Sequence, residues 1–245
     1  AGTAGSVAIN GGVVNTTGAQ IYGEAATLGA ATTLTSTGLG AITFGNTLNG
    51  AQTLAINTSG VTTFQAAVGN TTALSSITTN AGGTLVMNGG SVTTTGTQTY
   101  GEAITLGADS TLSASRVTLG AAVSGAHAFA VNGAATLNGG SVNTGSAAQS
   151  YSSTVDLGAD TTLTASSVTL NGAVSGVHTF TVNGDTAING GSVTTGAQSY
   201  SGAVTLGANT TLNAGSGDVT LSSTVDGGYA LTVNSTGATT FGAEV

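Results

Sequence analysis

Two histidines, nine acids and one arginine are, tyrosines apart, all the ionisable side chains that 245 residues carry. His127 and His178 stand 51 residues apart at equivalent places in a repeating sequence. In a stack of strands that spacing separates them by two or more turns, roughly 10–15 Å. One metal ion cannot bind both, because its ligands lie about 2 Å from it. They read as ordinary surface or turn residues. Asp109 and Asp160 are equivalent in the same way and too far apart to work as an acid pair. Asp156 and Asp160 are close enough to face each other across a corner, yet a Ca²⁺ ion needs more ligands than two. The Gly-Gly-x-Gly-x-Asp calcium pattern does not occur. No Ser has a His and an acid placed to form a triad. Arg116 is the lone basic residue, too little for the charged cleft of a polysaccharide lyase or glycosidase. Gly-rich corners such as Leu137-Asn138-Gly139-Gly140-Ser141 have no following Lys and no helix, so they are not phosphate loops. The expectation is a protein that is not an enzyme, with no catalytic, cofactor-binding or metal-binding residues.

Charge narrows the partners. Only 4% of the residues are charged, against ~25% in ordinary soluble proteins. With one cation, phosphate neutralisation fails, which argues against nucleic acid and against anionic membranes. The acids Glu24, Glu102, Asp109, Asp156, Asp160, Asp185, Asp218, Asp226 and Glu244 give a net charge of −8 without forming a run. They read as solvated residues that keep a neutral surface soluble. There is no Cys, so disulfides and thiolate metal sites are excluded. No apolar run approaches the ~18 residues of a membrane helix.

What must position these residues is a repeat. Asn138-Gly139-Gly140-Ser141-Val142 recurs at Asn10, Asn88 and Asn189, with spacings of 78, 50 and 51 residues. Repetition at this scale signals a stacked or radial architecture. A finer beat of six runs inside each copy. Tyr100, Leu106 and Leu112 correspond to Tyr151, Leu157 and Leu163, and to Tyr200, Leu206 and Leu212. After a turn of variable length the beat resumes at Val117, Val123 and Phe129, and at Val168, Val174 and Phe180. Turns that tolerate length change between segments that do not are what inward side chains in fixed register require.

Helix is excluded nearly everywhere. The apolar runs are rich in β-branched Thr and Val, and Gly and Asn recur every few residues, where they serve turns. Strands of about 4–6 residues with short Gly/Asn/Ser corners predict an all-β fold: a right-handed parallel β-helix with roughly three short strands and ~17–25 residues per coil. Coils ~4.8 Å apart would make a rod of about 50–70 Å. Asn57, Asn132, Asn183 and Asn234 share one phase. Two readings are open for them: buried amide ladders, or left-handed corner residues. Thr occurs in runs such as Thr93-Thr94-Thr95 and Thr194-Thr195, scattered over several phases with no strict Thr-x-Thr column.

The repeats run through residues 1–245, which predicts a single continuous solenoid of about 50- and 78-residue super-repeats. Val245 falls in the phase of Val68 and Ala1 in the phase of Thr79. The expectation is a segment of a longer array, or a unit that adds to a copy of itself end to end.

Three phrases carry a resemblance: residues 189–200, Val204-Thr205-Leu206-Gly207-Ala208, and residues 231–241. They resemble the β-strand repeats of large bacterial exoproteins related to filamentous haemagglutinin, over essentially the whole chain. The resemblance implies a right-handed parallel β-helix, export to the bacterial cell surface, and a role in adhesion, biofilm or an extracellular fibre. A host or matrix glycan or protein receptor is the implied partner, with neither nucleic acid nor membrane insertion. It carries over no functional residue. The function expected is therefore structural, a rigid shaft or filament subunit. The alternative is an ice- or polysaccharide-binding solenoid that uses Thr/Asn arrays.

Overall fold

The computed structural model describes residues 5–245. Among them every regular element is a strand, and the paired strands run parallel in a right-handed β-solenoid. The chain divides into two compact units, one ending at Ser124 and the other starting at Gly125.

Each unit winds around three faces. In the second unit one face stacks Phe129–Val131, Gln149–Tyr151, Val168–Leu170, Thr186–Ile188 and Val204–Leu206. The next stacks 135–137, 155–157, 174–176 and 193–194. The third stacks 141–143, 162–164, 181–183, 198–200, 219–221 and 239–241. The beat of six is the step from one face to the next. Leu157, Leu163, Val168, Val174 and Phe180 all point inward and are buried. Alternate residues along each strand point out, as the pleat demands. The first unit is built alike, and one of its faces stacks rings: Tyr22 lies on Phe44 with centroids 4.9 Å apart and planes 14° apart.

The sequence repeat and the turn are out of step. Tyr151, Leu170 and Ile188 share one face, and Val193 and then Tyr200 occupy the next two. One copy of the repeat thus advances two turns and two faces. In the first unit, Tyr22 pairs with Phe44 and Phe44 with Phe64, whereas Tyr100 stacks on Thr79. Equivalent residues therefore do not stack on each other, and each column mixes phases of the repeat.

Two recurring phrases are coupled across a turn. In Asn-Gly-Gly the second glycine, Gly12, Gly90, Gly140 or Gly191, has φ between +71° and +74°, a region that L side chains avoid. The amide oxygen of the Asn then lies over the Gly of Leu-Gly-Ala on the following turn. A Cβ on Gly158 would sit 2.0 Å from Asn138 Oδ1, and one on Gly207 2.0 Å from Asn189 Oδ1. The same holds for Gly29 with Asn10.

A buried polar clamp occurs at each fully buried tyrosine. Gln98 Nε2 donates to the carbonyls of Val92 (2.9 Å) and Ser113 (3.0 Å), and Tyr100 Oη donates to Gln98 Oε1 (3.0 Å). Gln149 with Tyr151, and Gln198 with Tyr200, repeat it. Both amide donors and the amide acceptor are thereby used, which a fully buried Gln requires. Burial raises the pKa of the three tyrosine hydroxyls, so each stays neutral and able to donate.

Both readings of the phase-related Asn residues fail. Asn57, Asn132, Asn183 and Asn234 are exposed, so they form no lumen ladder. Leu39, at φ +64°, is the one described non-glycine residue with positive φ. In the second unit the left-handed corner falls one residue later than Asn183, on Gly184 at φ +143°.

Candidate functional site

The residues singled out for chemistry take structural posts. Asp160 Oδ1 accepts the backbone N–H of Thr179 on the next turn at 2.9 Å, and His178 Nδ1 lies 3.5 Å from the same oxygen. The Thr179 N–H, then its hydroxyl, and more weakly His178, hold the Asp160 carboxyl below its ordinary pKa. Asp185 Oδ1 and Asp218 Oδ1 likewise accept the N–H groups of Ala203 (3.0 Å) and Ala238 (2.7 Å). A corner acid thus caps the following turn. Asp156 accepts a hydrogen bond from the Ser175 hydroxyl on the next turn. The juxtaposition of Asp160 with His178 follows from their spacing of 18 residues, close to one turn. Among the described residues no group of three His, Cys, Asp or Glu side chains converges on a metal position.

The Thr runs do not make flat patches. Thr94 and Thr195 point into the lumen and are buried, because adjacent strand residues alternate sides. The regular array lies elsewhere, on the third face of the second unit. Its outward column reads Ser141, Thr162, Thr181, Ser199, Thr220 and Thr240 in register on successive turns. Inward neighbours Val142, Leu163, Val182, Tyr200 and Leu221 are buried and hold the face flat. A second column runs two residues along: Asn143, Thr164 and Asn183 in register, then Ser201 and Ser222. None of these residues is charged. The hydroxyls of Thr162, Thr181, Ser199 and Thr220 make no hydrogen bond within the described residues. They form a lattice about 4.8 Å by 7 Å. The other two faces lack it. The equivalent outward columns read Ala130, Ser150, Thr169, Ala187, Thr205, Asp226 and Thr136, Asp156, Ser175, Thr194, Asn213, Asn234. Sequence reasoning missed the hydroxyl column because its members come from different phases of the repeat. It becomes visible only once the turn length is known.

One carboxyl group among the described residues is buried. Glu102, at the corner that follows Tyr100, is 2% exposed. No hydrogen-bond partner reaches either carboxyl oxygen, nor the buried hydroxyls of Thr62 and Thr79. Burial pushes its pKa up to about 7, an effect that Thr79 and Thr62 only partly offset.

No known family, curated protein or solved structure matches the chain.

Proposed function

We propose that the chain is a structural extracellular protein, a rigid β-solenoid shaft or filament subunit serving bacterial adhesion, biofilm matrix or a surface fibre. The observation that carries this is the unbroken parallel register on all three faces of each unit. Each turn satisfies the backbone groups of the next, so stiffness needs neither charge pairs nor a cofactor. The resemblance to exoproteins related to filamentous haemagglutinin supports the same reading and favours the bacterial cell surface. A second copy of the chain is the proposed partner. Parallel strands stacked in register take up a further strand of the same kind by backbone hydrogen bonding alone. Fibre diffraction and electron microscopy of the concentrated protein test this: filaments with a ~4.8 Å meridional spacing are expected. Short monomers alone at high concentration would remove self-assembly. Failure of the protein to retain bacteria or matrix at a surface would remove the adhesive role.

A second reading, an ice- or polysaccharide-binding solenoid, is favoured by the neutral hydroxyl lattice on the third face of the second unit. A flat array that repeats in two directions suits a ligand that is itself a lattice. Thermal hysteresis and retention on insoluble polysaccharide test it, with Thr181→Lys as the control. No ice shaping and no retention would reject it.

A further inference from the structure

We propose that the Glu102 corner of the first unit is a proton-controlled joint: the neutral acid lets the coil close around it, and loss of its proton loosens the turns that carry Thr62, Thr79 and Glu102.

The argument starts from packing. Glu102 follows Gly101, and a Cβ on Gly101 would lie 2.7 Å from Ala81 N on the turn before. The chain passes so close there that the next side chain is left inside. Ala103–Leu106, which follows, is held on both sides in parallel register, by Thr84–Met87 and by Val123–Ser124. Glu102 therefore cannot swing out without disturbing paired strand. Its carboxyl faces the hydroxyls of Thr79 and Thr62, one and two turns back; these favour the charged form only weakly, and none of the four buried oxygens makes a well-formed hydrogen bond.

The packed elements bring no countercharge. Thr53–Thr58, Val61–Phe64, Ser76–Thr79, Thr84–Met87 and Val123–Ser124 contain no titratable residue. Tyr100, on the same turn, gives its hydroxyl to Gln98. Arg116, Asp109 and Glu24 are exposed. A carboxylate here would be an isolated buried charge, which proteins avoid by taking up a proton. A cation in place of the proton is disfavoured, since hard cations take six or more oxygen ligands and only these four converge. The position is also singular. The matching residue Glu24 is exposed, and the later copies have Ser153 and Gly202.

The sign follows from the shift. The folded state holds the proton up to about pH 7, whereas the unfolded chain releases it near the ordinary 4.5. Stability from this corner is complete below pH 4.5, falls as pH rises, and is lost above pH 7.

The experiment is thermal unfolding of the whole chain from pH 4 to pH 9, for wild type and Glu102→Gln, with Glu24→Gln as the exposed control. The wild-type Tm should fall by about 5 °C between pH 4.5 and pH 8. Glu102→Gln should flatten that slope and raise Tm at pH 8, and Glu24→Gln should change neither. Parallel pH profiles for wild type and Glu102→Gln would overturn the proposal. So would a rise in wild-type Tm at pH 8 on adding millimolar Ca²⁺, because the site would then hold a cation. If Glu102→Gln fails to fold, a carboxyl-carbon NMR titration of the wild type decides: a midpoint near 7 supports the proposal and one near 4.5 ends it.

Discussion

The corner that follows each buried tyrosine is solved differently in the two units. In the second unit a serine occupies it. Ser152 Oγ accepts the N–H of Gly133 at 3.1 Å, and Ser201 Oγ accepts that of Gly184 at 3.3 Å. Both serines are exposed, and each satisfies a corner amide on the turn before. In the first unit the same place is Gly101, and the following side chain, Glu102, turns inward without a partner. Position in the repeat is equal, but the preceding turn is not. A corner with a free N–H rewards a hydroxyl, whereas a corner pressed against Ala81 leaves room only for glycine and forces the next side chain inside. Local chemistry in a solenoid is thus set by the neighbour one turn away more than by the sequence phase.

The comparison is broken most severely at Gly184, the amide that Ser201 serves. Its φ is +143°, and a Cβ there would lie 2.1 Å from the Ala165 carbonyl oxygen. Backbone cannot yield as a flexible side chain can. Gly184→Ala should cost about 3 kcal/mol, from strain together with the clash, read as a lower denaturant midpoint.

The clamp is the feature both units share, so its removal should cost the same in each. Gln198→Leu removes the side-chain donor to the Val193 and Asn213 carbonyls and leaves the Tyr200 hydroxyl buried without its acceptor, while the Asn213 carbonyl keeps the N–H of Thr195. A loss of about 3 kcal/mol is expected, and Gln98→Leu should match it. Unequal losses, measured by denaturant unfolding followed separately in the two units, would show that the clamps depend on their surroundings.

A smaller effect tests the link between the two recurring phrases. Gly158→Ala pushes against Asn138 Oδ1 at 2.0 Å, a side-chain tip that can move. About 1 kcal/mol should be lost, and Asn138→Ala should recover most of it in a double-mutant cycle. Absence of coupling would mean that Gly158 is needed for some other reason.

Much of the fold was legible because solenoid packing repeats a local rule. The beat of six through Tyr151, Leu157 and Leu163 is the inward residue of each face, so it reported faces and core directly. Turn length was harder to read. The Asn-Gly-Gly spacing suggests a simple multiple of the turn, yet a copy ends two faces further round. The consequences fell on the surface. The hydroxyl column from Ser141 to Thr240 was dispersed among phases, while Thr194-Thr195 resembled a patch and turned out half-buried. The burial of Glu102 was equally hidden, because nothing in Gly101-Glu102-Ala103 distinguishes it from Gly23-Glu24-Ala25, where the acid is exposed. That difference is made by the preceding turn: a Cβ on Gly101 would lie 2.7 Å from Ala81 N, whereas one on Gly23 would meet nothing within 4 Å.

The exposed acid at a corner gives the opposite pH response to the buried one, and the smallest effect. Asp160 lies in solvent, and the Thr179 N–H, then the Thr179 hydroxyl, lower its pKa from the ordinary 3.8. A lowered carboxyl contributes stability that is present above the unfolded pKa and fades as pH falls through the folded one. Asp160→Asn keeps an acceptor for the Thr179 N–H but removes the charge beside His178. At pH 7 its Tm should differ little from wild type, because solvent and salt screen an exposed pair. Below pH 4 the two should converge. If Asp160→Asn instead lost as much as Gly184→Ala, the corner acids would be principal supports of the turn rather than interchangeable caps.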